Sequence, residues 1–329
     1  MKFLIAGFGS IGRRHMRNLV ELGQKDIILY RTKKSTLPVD EIDGFPVFYD
    51  LDEALAQNPD AVIVSNPTSL HLDVAIPAAK KGCSIFMEKP LSHNLDRLQE
   101  FQTAVNEGGG KVFIGFQFRF HPGLIKIKEL LEKGAVGKPA TVRAQWGEYL
   151  PNWHPWEDYR KSYSAKKSLG GGVVLTLCHP LDYLRWIFGD IQSVFAMTGQ
   201  RGDLEIEVED SADILLRFDG GVAGSVHLNY YQIPGTHNLE IIGTSGMMTW
   251  DNADGIVRLY NDELSKWENF PPPSGFERNT LFLGEMQHFL EVIQGISEPI
   301  CDLEDGLRIM ELLAGIYHSA DFDRMVSFE

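Results

Sequence analysis

The feature that most constrains the fold is a glycine-rich turn near the N-terminus, Gly7-Phe8-Gly9-Ser10-Ile11-Gly12. It follows a short apolar run, residues 3–6, and opens a helical pattern over residues 11–22 that ends at Gly23. In a strand–turn–helix unit, the first glycine permits the tight turn and the second lets the backbone approach a pyrophosphate. The third allows close helix–strand packing, and the helix N-terminus faces the anion. The motif alone is weak, but this context favours a dinucleotide-binding loop over an ordinary turn.

Short apolar segments alternate with helical segments through the first 120 residues. Runs of only a few apolar residues are typical of strands buried on both faces of a parallel sheet. The alternation predicts an α/β domain with a doubly wound parallel sheet, and we place this dinucleotide-binding domain at residues 1–120. The predicted strands are residues 3–6, 27–30, 61–64, 84–87 and 112–114, and the predicted helices are 11–22, 51–57, 71–81 and 95–106.

The remaining residues, 121–329, have a different pattern, in which strand-like runs follow one another and turn signals such as Asp219-Gly220-Gly221 separate them. Consecutive strands with flanking helices predict an α+β domain on a mostly antiparallel sheet. The predicted strands are residues 140–149, 191–198, 212–218, 222–229, 239–242, 247–250 and 256–260, and the predicted helices are 122–132, 171–188, 281–294 and 303–322.

Composition limits the partners and the compartment. The formal net charge of −14 argues against nucleic acid or an anionic membrane as the main partner, because both require a basic face. The sequence has neither a membrane-spanning apolar run nor an adequate signal-peptide core. Its three scattered cysteines give no disulfide framework, and the histidines and cysteines lack close ligand spacing. We therefore predict a cytoplasmic protein without a bound metal.

The end of the second predicted strand indicates which nucleotide the turn binds. Dinucleotide folds that use NAD carry an acidic residue there for the ribose 2′-hydroxyl, but this chain has Tyr30-Arg31-Thr32-Lys33-Lys34. A guanidinium group matches the oxygens of a 2′-phosphate. NADP(H) is therefore favoured. NAD(H) stays possible, because a basic turn can also be merely solvated.

Two more motifs follow the third and fourth predicted strands: Ser65-Asn66-Pro67-Thr68-Ser69-Leu70-His71 and Glu88-Lys89-Pro90-Leu91. Both lie beyond carboxyl ends of parallel strands, where open α/β sheets bind ligands. With the glycine turn, they resemble the Gfo/Idh/MocA family, the group of glucose–fructose oxidoreductase and inositol dehydrogenase. The resemblance covers nearly the whole chain, through residues 115–122, 170–172, His179, 182–184, 242–246, Trp250, Asp251, Asp305 and Gly306.

This resemblance implies a nicotinamide-dependent oxidoreductase that acts on a sugar-like substrate. Lys89 matches the lysine of the family's Glu-Lys-Pro motif and would stabilise negative charge on the reacting oxygen, with Glu88 orienting it. Pro90 matches a proline that is often cis in the family. His179 matches the catalytic histidine, whose imidazole would move the hydroxyl proton while hydride passes to or from nicotinamide C4. The predicted cofactor-binding residues are Gly7, Phe8, Gly9, Ser10, Ile11, Gly12, Arg31, Thr32, Ser65, Asn66, Pro67, His71, Glu88, Lys89 and Gln117.

One position departs from the family pattern. An aspartate commonly precedes the catalytic histidine, but this chain has Thr176 there. Asp182 lies one helical turn beyond His179 and matches a separate family aspartate, so it does not replace the missing acid. We keep Thr176 with Lys89 and His179 as the predicted catalytic residues. The departure implies an altered substrate, weakened chemistry, or proton transfer by His179 alone.

The stretch of residues 149–160 is too polar and proline-broken for a core strand. Aromatic faces beside charged groups suit a carbohydrate, which offers apolar CH faces and many hydroxyls. An aromatic loop at a domain or subunit interface fits the pattern equally well. Arg119 is a weaker candidate that an interdomain ion pair explains equally well. The substrate candidates are Arg119, Trp153, His154, Trp156, Tyr159 and Arg160.

Three functional hypotheses follow. The first is an NADP(H)-preferring oxidoreductase of a sugar, sugar derivative or polyol. The second is a glycosidase- or lyase-like enzyme that recycles a tightly bound nucleotide, and the third is a non-catalytic nucleotide-binding sensor. By resemblance, we also expect residues 121–329 to form a substrate-binding and oligomerisation domain with an open sheet. The expected assembly is a homodimer or homotetramer.

Overall fold

The computed structural model describes residues 1–32, 42–262 and 265–328. Among these residues, six strands form a first sheet in the order β3-β2-β1-β4-β5-β6, and all of its pairs are parallel. The order reverses between β1 and β4, as in doubly wound nucleotide-binding folds. This confirms the predicted α/β domain. The strands are β1 (Lys2–Ala6), β2 (Asp26–Tyr30), β3 (Val47–Phe48), β4 (Ala61–Val64), β5 (Ser84–Glu88) and β6 (Val112–Gly115).

A second sheet, of nine strands within the described ranges, has the order β14-β13-β12-β11-β7-β10-β9-β8-β15. Only the pairing of β7 with β10 is parallel, so the predicted, mostly antiparallel sheet is confirmed. The sequence prediction omitted β14 and β15, as it omitted β3. The strands are β7 (Pro139–Tyr149), β8 (Ile191–Gly199), β9 (Ser211–Phe218), β10 (Ala223–Asn229), β11 (Tyr231–Gly243), β12 (Gly246–Asp251), β13 (Val257–Asn261), β14 (Lys266–Phe270) and β15 (Val326–Ser327).

The predicted helix over residues 171–188 is wrong as a single element. The structure divides it into two helices that meet at Leu177 and Cys178. Pro180 explains the break, because it has no N–H to continue the hydrogen bonding and restricts the backbone before it. The helices of the described chain are α1 (Ser10–Glu21), α2 (Leu51–Leu55), α3 (His71–Lys80), α4 (Leu98–Gly108), α5 (Pro122–Glu132), α6 (Val173–Thr176), α7 (His179–Phe188), α8 (Arg278–Ile293) and α9 (Leu303–Phe322).

Residue contacts divide the chain into two compact units. The first comprises Met1–Gln117, Ser168–Gly170 and Arg278–Met310, and the second comprises Phe118–Lys167, Gly171–Glu277 and Glu311–Glu329. The functional division into 1–120 and 121–329 stays a prediction. No described helix is both long and apolar enough to cross a membrane.

Aromatic packing joins helix α8 to the first sheet. Phe86 of β5 stacks on Phe113 of β6, with ring centroids 5.3 Å apart, and the ring of Phe289 meets Phe86 edge-on at 5.5 Å. All three rings are fully buried. A late segment of the chain therefore completes the core of the first unit, whose parallel strands are apolar on both faces.

Candidate active site

The three glycines of the N-terminal turn have different surroundings. Gly7 has a φ of +95°, and a Cβ atom there would lie 2.5 Å from the Asn66 nitrogen. At Gly12 a Cβ would lie 2.1 Å from the Gly7 carbonyl oxygen. At Gly9 it would meet nothing within 4 Å. The first and third glycines are thus required by packing, while the second leaves open space.

This open space lies at the N-terminus of helix α1. Gly9 is the N-cap residue, and no side chain caps the helix. The first N–H groups of a helix have no partner within the helix and favour an anion. Ser10 is exposed and Ile11 half-buried beside them, whereas Phe8 is buried. The turn therefore fits a dinucleotide, whose diphosphate would approach Gly9.

Arg31 and Thr32 follow strand β2. The Arg31 side chain is only 8% exposed, and its guanidinium carbon lies 5.8 Å from the centroid of the Phe8 ring. The Arg31 N–H donates to the Phe48 carbonyl at 3.0 Å. Thr32 is exposed, and Lys33 and Lys34 lie outside the described residues. The Arg31 cation is therefore packed beside the glycine turn rather than left in solvent.

The loop after β4 is tied to the glycine turn. The Ser65 hydroxyl donates to the Gly7 carbonyl at 2.9 Å, and the Asn66 amide donates to the Leu70 carbonyl at 2.8 Å. Pro67 precedes the turn that leads into α3. These bonds hold the loops after β1 and β4 together at the carboxyl edge of the sheet, where ligands bind in open α/β folds.

His71 links this loop to the turn after β5. Its two ring nitrogens lie 3.0 Å from the carbonyl oxygens of Pro90 and Asn66. The imidazole is buried, and burial lowers its pKa to about 4. The neutral ring carries a single N–H, so it donates to one of these two carbonyl oxygens at a time while packing against both loops. These contacts give His71, itself a predicted cofactor-binding residue, a structural role in positioning the two loops.

Glu88, Lys89 and Pro90 form the turn after β5, and the Lys89–Pro90 peptide bond is cis. The Lys89 N–H donates to the Glu88 carboxylate at 3.3 Å, and His15 Nε2 donates to the other carboxylate oxygen at 2.6 Å. Burial raises the pKa of Glu88, but the hydrogen bond and charge of His15, with the charges of Lys89 and His71, hold it below its usual value. The ionised carboxylate thus fixes the backbone that carries the half-buried Lys89 side chain. His15 is not among the site residues predicted from the sequence.

Gln117 ends the first unit. It begins a short turn of 3-10 helix, Gln117–Phe120, just after β6, and its side chain is buried. The structure thus places it beyond the carboxyl end of another strand of the parallel sheet.

In the second unit, aromatic rings surround His179. The His179 side chain is 2% exposed at the start of α7. The Phe118 ring meets it edge-on at 5.1 Å, and the Trp146 ring lies 5.4 Å away. Trp146 also stacks on His237 at 4.3 Å. Packing of flat side chains therefore fixes the orientation of the imidazole.

Thr176 is buried at the end of α6, close to the Tyr230 hydroxyl. That hydroxyl donates to the Gly172 carbonyl at 2.9 Å. Burial raises the pKa of Tyr230 well above its usual value, so this phenol stays neutral. Thr176 therefore provides a neutral hydroxyl group at the position where an aspartate was expected from the family pattern.

Arg119 forms a buried ion pair with Asp182. Its Nη2 and Nε donate to the two carboxylate oxygens at 2.7 Å and 3.1 Å, and both side chains are almost fully buried. Asp182 lies on α7, one turn after His179. Both residues belong to the second unit, so the pair ties the segment after β6 to the helix that carries His179.

The aromatic segment after β7 presents one strongly exposed ring. Trp156 is 65% exposed, whereas Trp153 packs edge-on against Tyr230 at 5.5 Å. His154 lies 5.1 Å from the Trp156 ring. Exposed aromatic rings are suited to stacking on a ligand or a partner.

Arg160, in the same segment, already has two carboxylate partners. Arg160 donates to Asp158 at 2.8 Å and to Glu205 at 2.7 Å. Its cation also lies 5.9 Å from the Tyr159 ring. A substrate anion at Arg160 would therefore compete with two acidic side chains.

Comparison with known proteins adds family matches to this geometry. Residues 1–116 match the family described as "Oxidoreductase family, NAD-binding Rossmann fold". Residues 124–249 match the "GFO/IDH/MocA C-terminal domain". The first match covers every strand of the parallel sheet, and the second covers His179 and most of the second sheet.

Individual relatives are similar over their whole length. A myo-inositol 2-dehydrogenase from Thermotoga maritima is 28% identical, over 100% of this chain and 99% of its own. A D-xylose 1-dehydrogenase (NADP(+)) from Haloferax volcanii is 24% identical, over 100% of both chains. The structure of levoglucosan dehydrogenase in complex with NADH superimposes with a TM-score of 0.89 at 18% identity, over 100% of this chain and 99% of that chain. At that identity the structural match shows the fold alone.

Proposed function

Because this chain belongs to the Gfo/Idh/MocA family of oxidoreductases and has its NAD-binding Rossmann domain, we propose that it transfers a hydride between a nicotinamide nucleotide and a sugar, sugar derivative or polyol. The observation that carries the proposal is the set of three joined loops at the carboxyl edge of the parallel sheet. The glycine turn, the Ser65–His71 loop and the Lys89 turn are hydrogen-bonded to one another. A bound nucleotide supplies nicotinamide C4 as the hydride donor or acceptor.

Arg31 supports a preference for NADP(H). Its buried guanidinium group lies beside Phe8. The residues that flank it in the sequence, Tyr30 and Thr32, carry no carboxylate of the kind that binds a ribose 2′-hydroxyl. Arginine is suited to a phosphate group because its donors form a planar fork. In this proposal Arg31 binds the 2′-phosphate.

Lys89 stabilises the reacting oxygen of the substrate. Its ammonium group is a compact charge that can hold negative charge on that oxygen as the C–H bond breaks or forms. The Glu88 carboxylate fixes the Lys89 main chain, so the lysine stays positioned before the substrate binds. This positioning lowers the reorganisation needed in the transition state.

His179 accepts or donates the substrate hydroxyl proton. A positioned imidazole contributes about 10²–10⁴-fold in such a transfer. The hydroxyl of Thr176 carries no charge, so His179 moves that proton without an adjacent carboxylate at position 176. The Arg119–Asp182 pair supports the helix that holds the imidazole.

A polyhydroxylated substrate is favoured by two lines of support. The relatives described above are named for inositol and xylose. In this chain, the exposed Trp156 and the neighbouring His154 offer an aromatic face and a polar ring. Carbohydrates bind such pairs through their CH faces and hydroxyls.

The test has two stages. NADPH and NADH are titrated separately against the purified chain by nicotinamide fluorescence, and then turnover is measured on sugars and polyols. A preference for NADPH of about tenfold, or 1.4 kcal/mol, is expected, and Arg31→Ala should remove it. A preference for NADH would contradict the role of Arg31 and leave the oxidoreductase proposal intact.

Variants test the two catalytic roles. Lys89→Ala and His179→Ala should each lose about 10²-fold or more in kcat while retaining nucleotide affinity. Loss of nucleotide binding in both variants would contradict the assignment. Tight nucleotide binding without turnover on any polyol would instead favour a sensor, and a bound nucleotide that is never released would favour a recycling enzyme.

Location and assembly complete the proposal. The three cysteines, Cys83, Cys178 and Cys301, are buried and form no disulfide, which suits a reducing compartment such as the cytoplasm. A homodimer or homotetramer is expected by analogy with the family. Sedimentation velocity on the purified chain measures the assembly directly, and a monomer at micromolar concentration would contradict it.

A further inference from the structure

A half-buried glutamate, Glu209, lies against the turn that leads into helix α6, within the second unit. Its Oε1 atom accepts hydrogen bonds from the Val174 N–H at 3.2 Å and from the Tyr317 hydroxyl at 2.8 Å. Its main-chain carbonyl accepts from the Val173 N–H at 3.1 Å. One residue thus holds two successive N–H groups at the start of α6. Glu209 comes 35 residues after Val174 in the sequence, so motif spacing gives no sign of this contact.

The backbone of this turn leaves room for the carboxylate. Gly172 has a φ of +116°, and a Cβ atom there would collide with the Glu209 carboxylate. The Gly172 carbonyl accepts from the Tyr230 hydroxyl at 2.9 Å, and the Gly172 N–H donates to the Ser164 carbonyl at 3.0 Å. Glycine is therefore required at this position both by its backbone angle and by the carboxylate beside it.

Helix α6 depends on partners outside itself because it is short. It has only four residues, Val173–Thr176, and forming a single helical turn is unfavourable for an isolated segment. Its first N–H groups have no partner within the helix, and Glu209 accepts two of them. The turn is closed by the bond from the Thr176 N–H to the Gly172 carbonyl at 2.9 Å. The contacts of Glu209 therefore help to fix where Thr176 lies.

We propose, on the basis of the hydride transfer proposed above, that Glu209 is a positioning residue that acts through α6 on Thr176 and His179. Helix α7, which begins with His179, follows α6 after only Leu177 and Cys178. A shift of α6 therefore moves the main chain that enters His179. A displacement of about 1 Å in a reacting group can lower a rate about 10²-fold.

Glu209 acts here as a hydrogen-bond acceptor, and it does not replace the aspartate that the family pattern places at position 176. Burial raises the pKa of its carboxyl group, and the hydrogen bonds from Tyr317 and Val174 partly oppose this rise. Burial also raises the pKa of Tyr317 well above its usual value, so the phenol stays neutral and donates. Both donors bind the same oxygen, Oε1. An amide oxygen can accept the same two bonds, so the acceptor is needed and the charge is not.

Two variants at position 209 test this role through steady-state kinetics. Glu209→Gln keeps an acceptor oxygen, whereas Glu209→Leu has none. On a sugar or polyol that the wild-type chain turns over, Glu209→Leu should lose at least about tenfold in kcat, with KM within about twofold of wild type. Glu209→Gln should keep kcat within about threefold. The matched control Glu207→Leu, exposed and ion-paired with Lys166, should equal wild type, and each kcat is corrected for the folded fraction measured by chemical denaturation.

Hydrogen exchange followed by mass spectrometry measures the same contact without turnover. In Glu209→Leu, peptides that cover residues 171–179 should exchange at least about tenfold faster than in wild type, while peptides of β7 should not change. Glu209→Gln and Glu207→Leu should keep wild-type protection. If Glu209→Leu does not fold, Tyr317→Phe replaces it. That variant removes one of the two donors to the carboxylate and should accelerate exchange in the same peptides to a smaller extent.

The combined results distinguish failure of this role from failure of the proposed function. An equal loss of kcat in Glu209→Gln and Glu209→Leu would show that the charge is required and overturn the positioning role. Wild-type kcat and protection in Glu209→Leu would also overturn it. A wild-type chain that turns over no sugar or polyol would contradict the proposed function and the catalytic part of this inference. The exchange rates would then still decide whether Glu209 holds α6 in place.

Discussion

The Lys89 turn and the surroundings of His179 are held in place by different kinds of contact. Around Lys89, the decisive partners are main-chain atoms: the Asn66 and Pro90 carbonyls and the Lys89 N–H. Around His179, they are side chains, with Phe118 and Trp146 against the imidazole. Main-chain geometry depends on glycine, proline and short motifs, whereas side-chain packing depends on residues that are distant in sequence. The first region can therefore be identified from continuous motifs. In the second, the family resemblance identified His179 itself, but the sequence did not indicate the rings that pack around it.

Of the substitutions that test this comparison, Arg119→Met should cause the largest loss of unfolding free energy. It removes the guanidinium partner of the buried Asp182 carboxylate, which costs about 3–5 kcal/mol of unfolding free energy. Denaturant titration measures the loss, and the double variant Arg119→Met/Asp182→Leu should recover a large part of it, since the buried carboxylate is removed as well. Nucleotide affinity should stay within about twofold of wild type, because the hydrogen bonds that join the glycine turn, the Ser65–His71 loop and the Lys89 turn do not involve Arg119. A large loss of affinity would show that the two regions are energetically coupled.

Gly12→Ala, in the glycine turn of the first unit, should cause the next largest loss of unfolding free energy. Its Cβ would meet the Gly7 carbonyl at 2.1 Å, so we expect about 1–3 kcal/mol of destabilisation from overpacking. NADPH affinity should fall at least about tenfold. The control is Gly9→Ala, whose Cβ meets nothing within 4 Å. It should weaken nucleotide binding while changing stability by less than about 0.5 kcal/mol, and unchanged affinity in this control would contradict the proposed diphosphate position.

A smaller, pH-dependent effect should come from His237. Burial lowers its pKa to about 3, while an unfolded histidine titrates near about 6.5. The unfolded chain therefore binds the extra proton between these values, and stability must fall as pH decreases from about 6.5 to about 3. His237→Phe preserves an aromatic ring against Trp146 and should reduce the part of that fall between about pH 6.5 and about pH 5 by about 2 kcal/mol. Parallel pH curves for variant and wild type, measured by chemical denaturation, would contradict the buried neutral state.

The sequence predicted the fold well where pattern and local geometry agree. Strand β4 and helices α5 and α9 have the predicted limits, because apolar periodicity and end signals act over a few residues. Strand β3, with two residues, and the exposed strand β14 give no such pattern. Their pairing is set by neighbouring strands, which local sequence does not reveal.

The candidate site also has parts that local sequence reveals and parts that it does not. The glycine turn and the Glu88-Lys89-Pro90 turn are recognisable as continuous motifs. The Arg119–Asp182 pair was open to several interpretations, because an arginine in a sequence does not indicate its partner. Glu209 gave no signal at all, since a glutamate in a polar segment is usually solvated. Only the fold brings it against α6.

The first unit is built from segments far apart in the sequence, and this affects how it folds during synthesis. Phe289 of α8 packs on Phe86, so the core formed by the first 117 residues is incomplete until a segment about 170 residues later has left the ribosome. Domains commonly fold N-terminal first as they are synthesised. Here the first unit cannot complete its core until α8 has been synthesised. During that interval the apolar side of β5 has no permanent cover, which makes the unfinished chain a natural client for chaperones. A fragment that ends before α8 should therefore be poorly soluble when expressed alone.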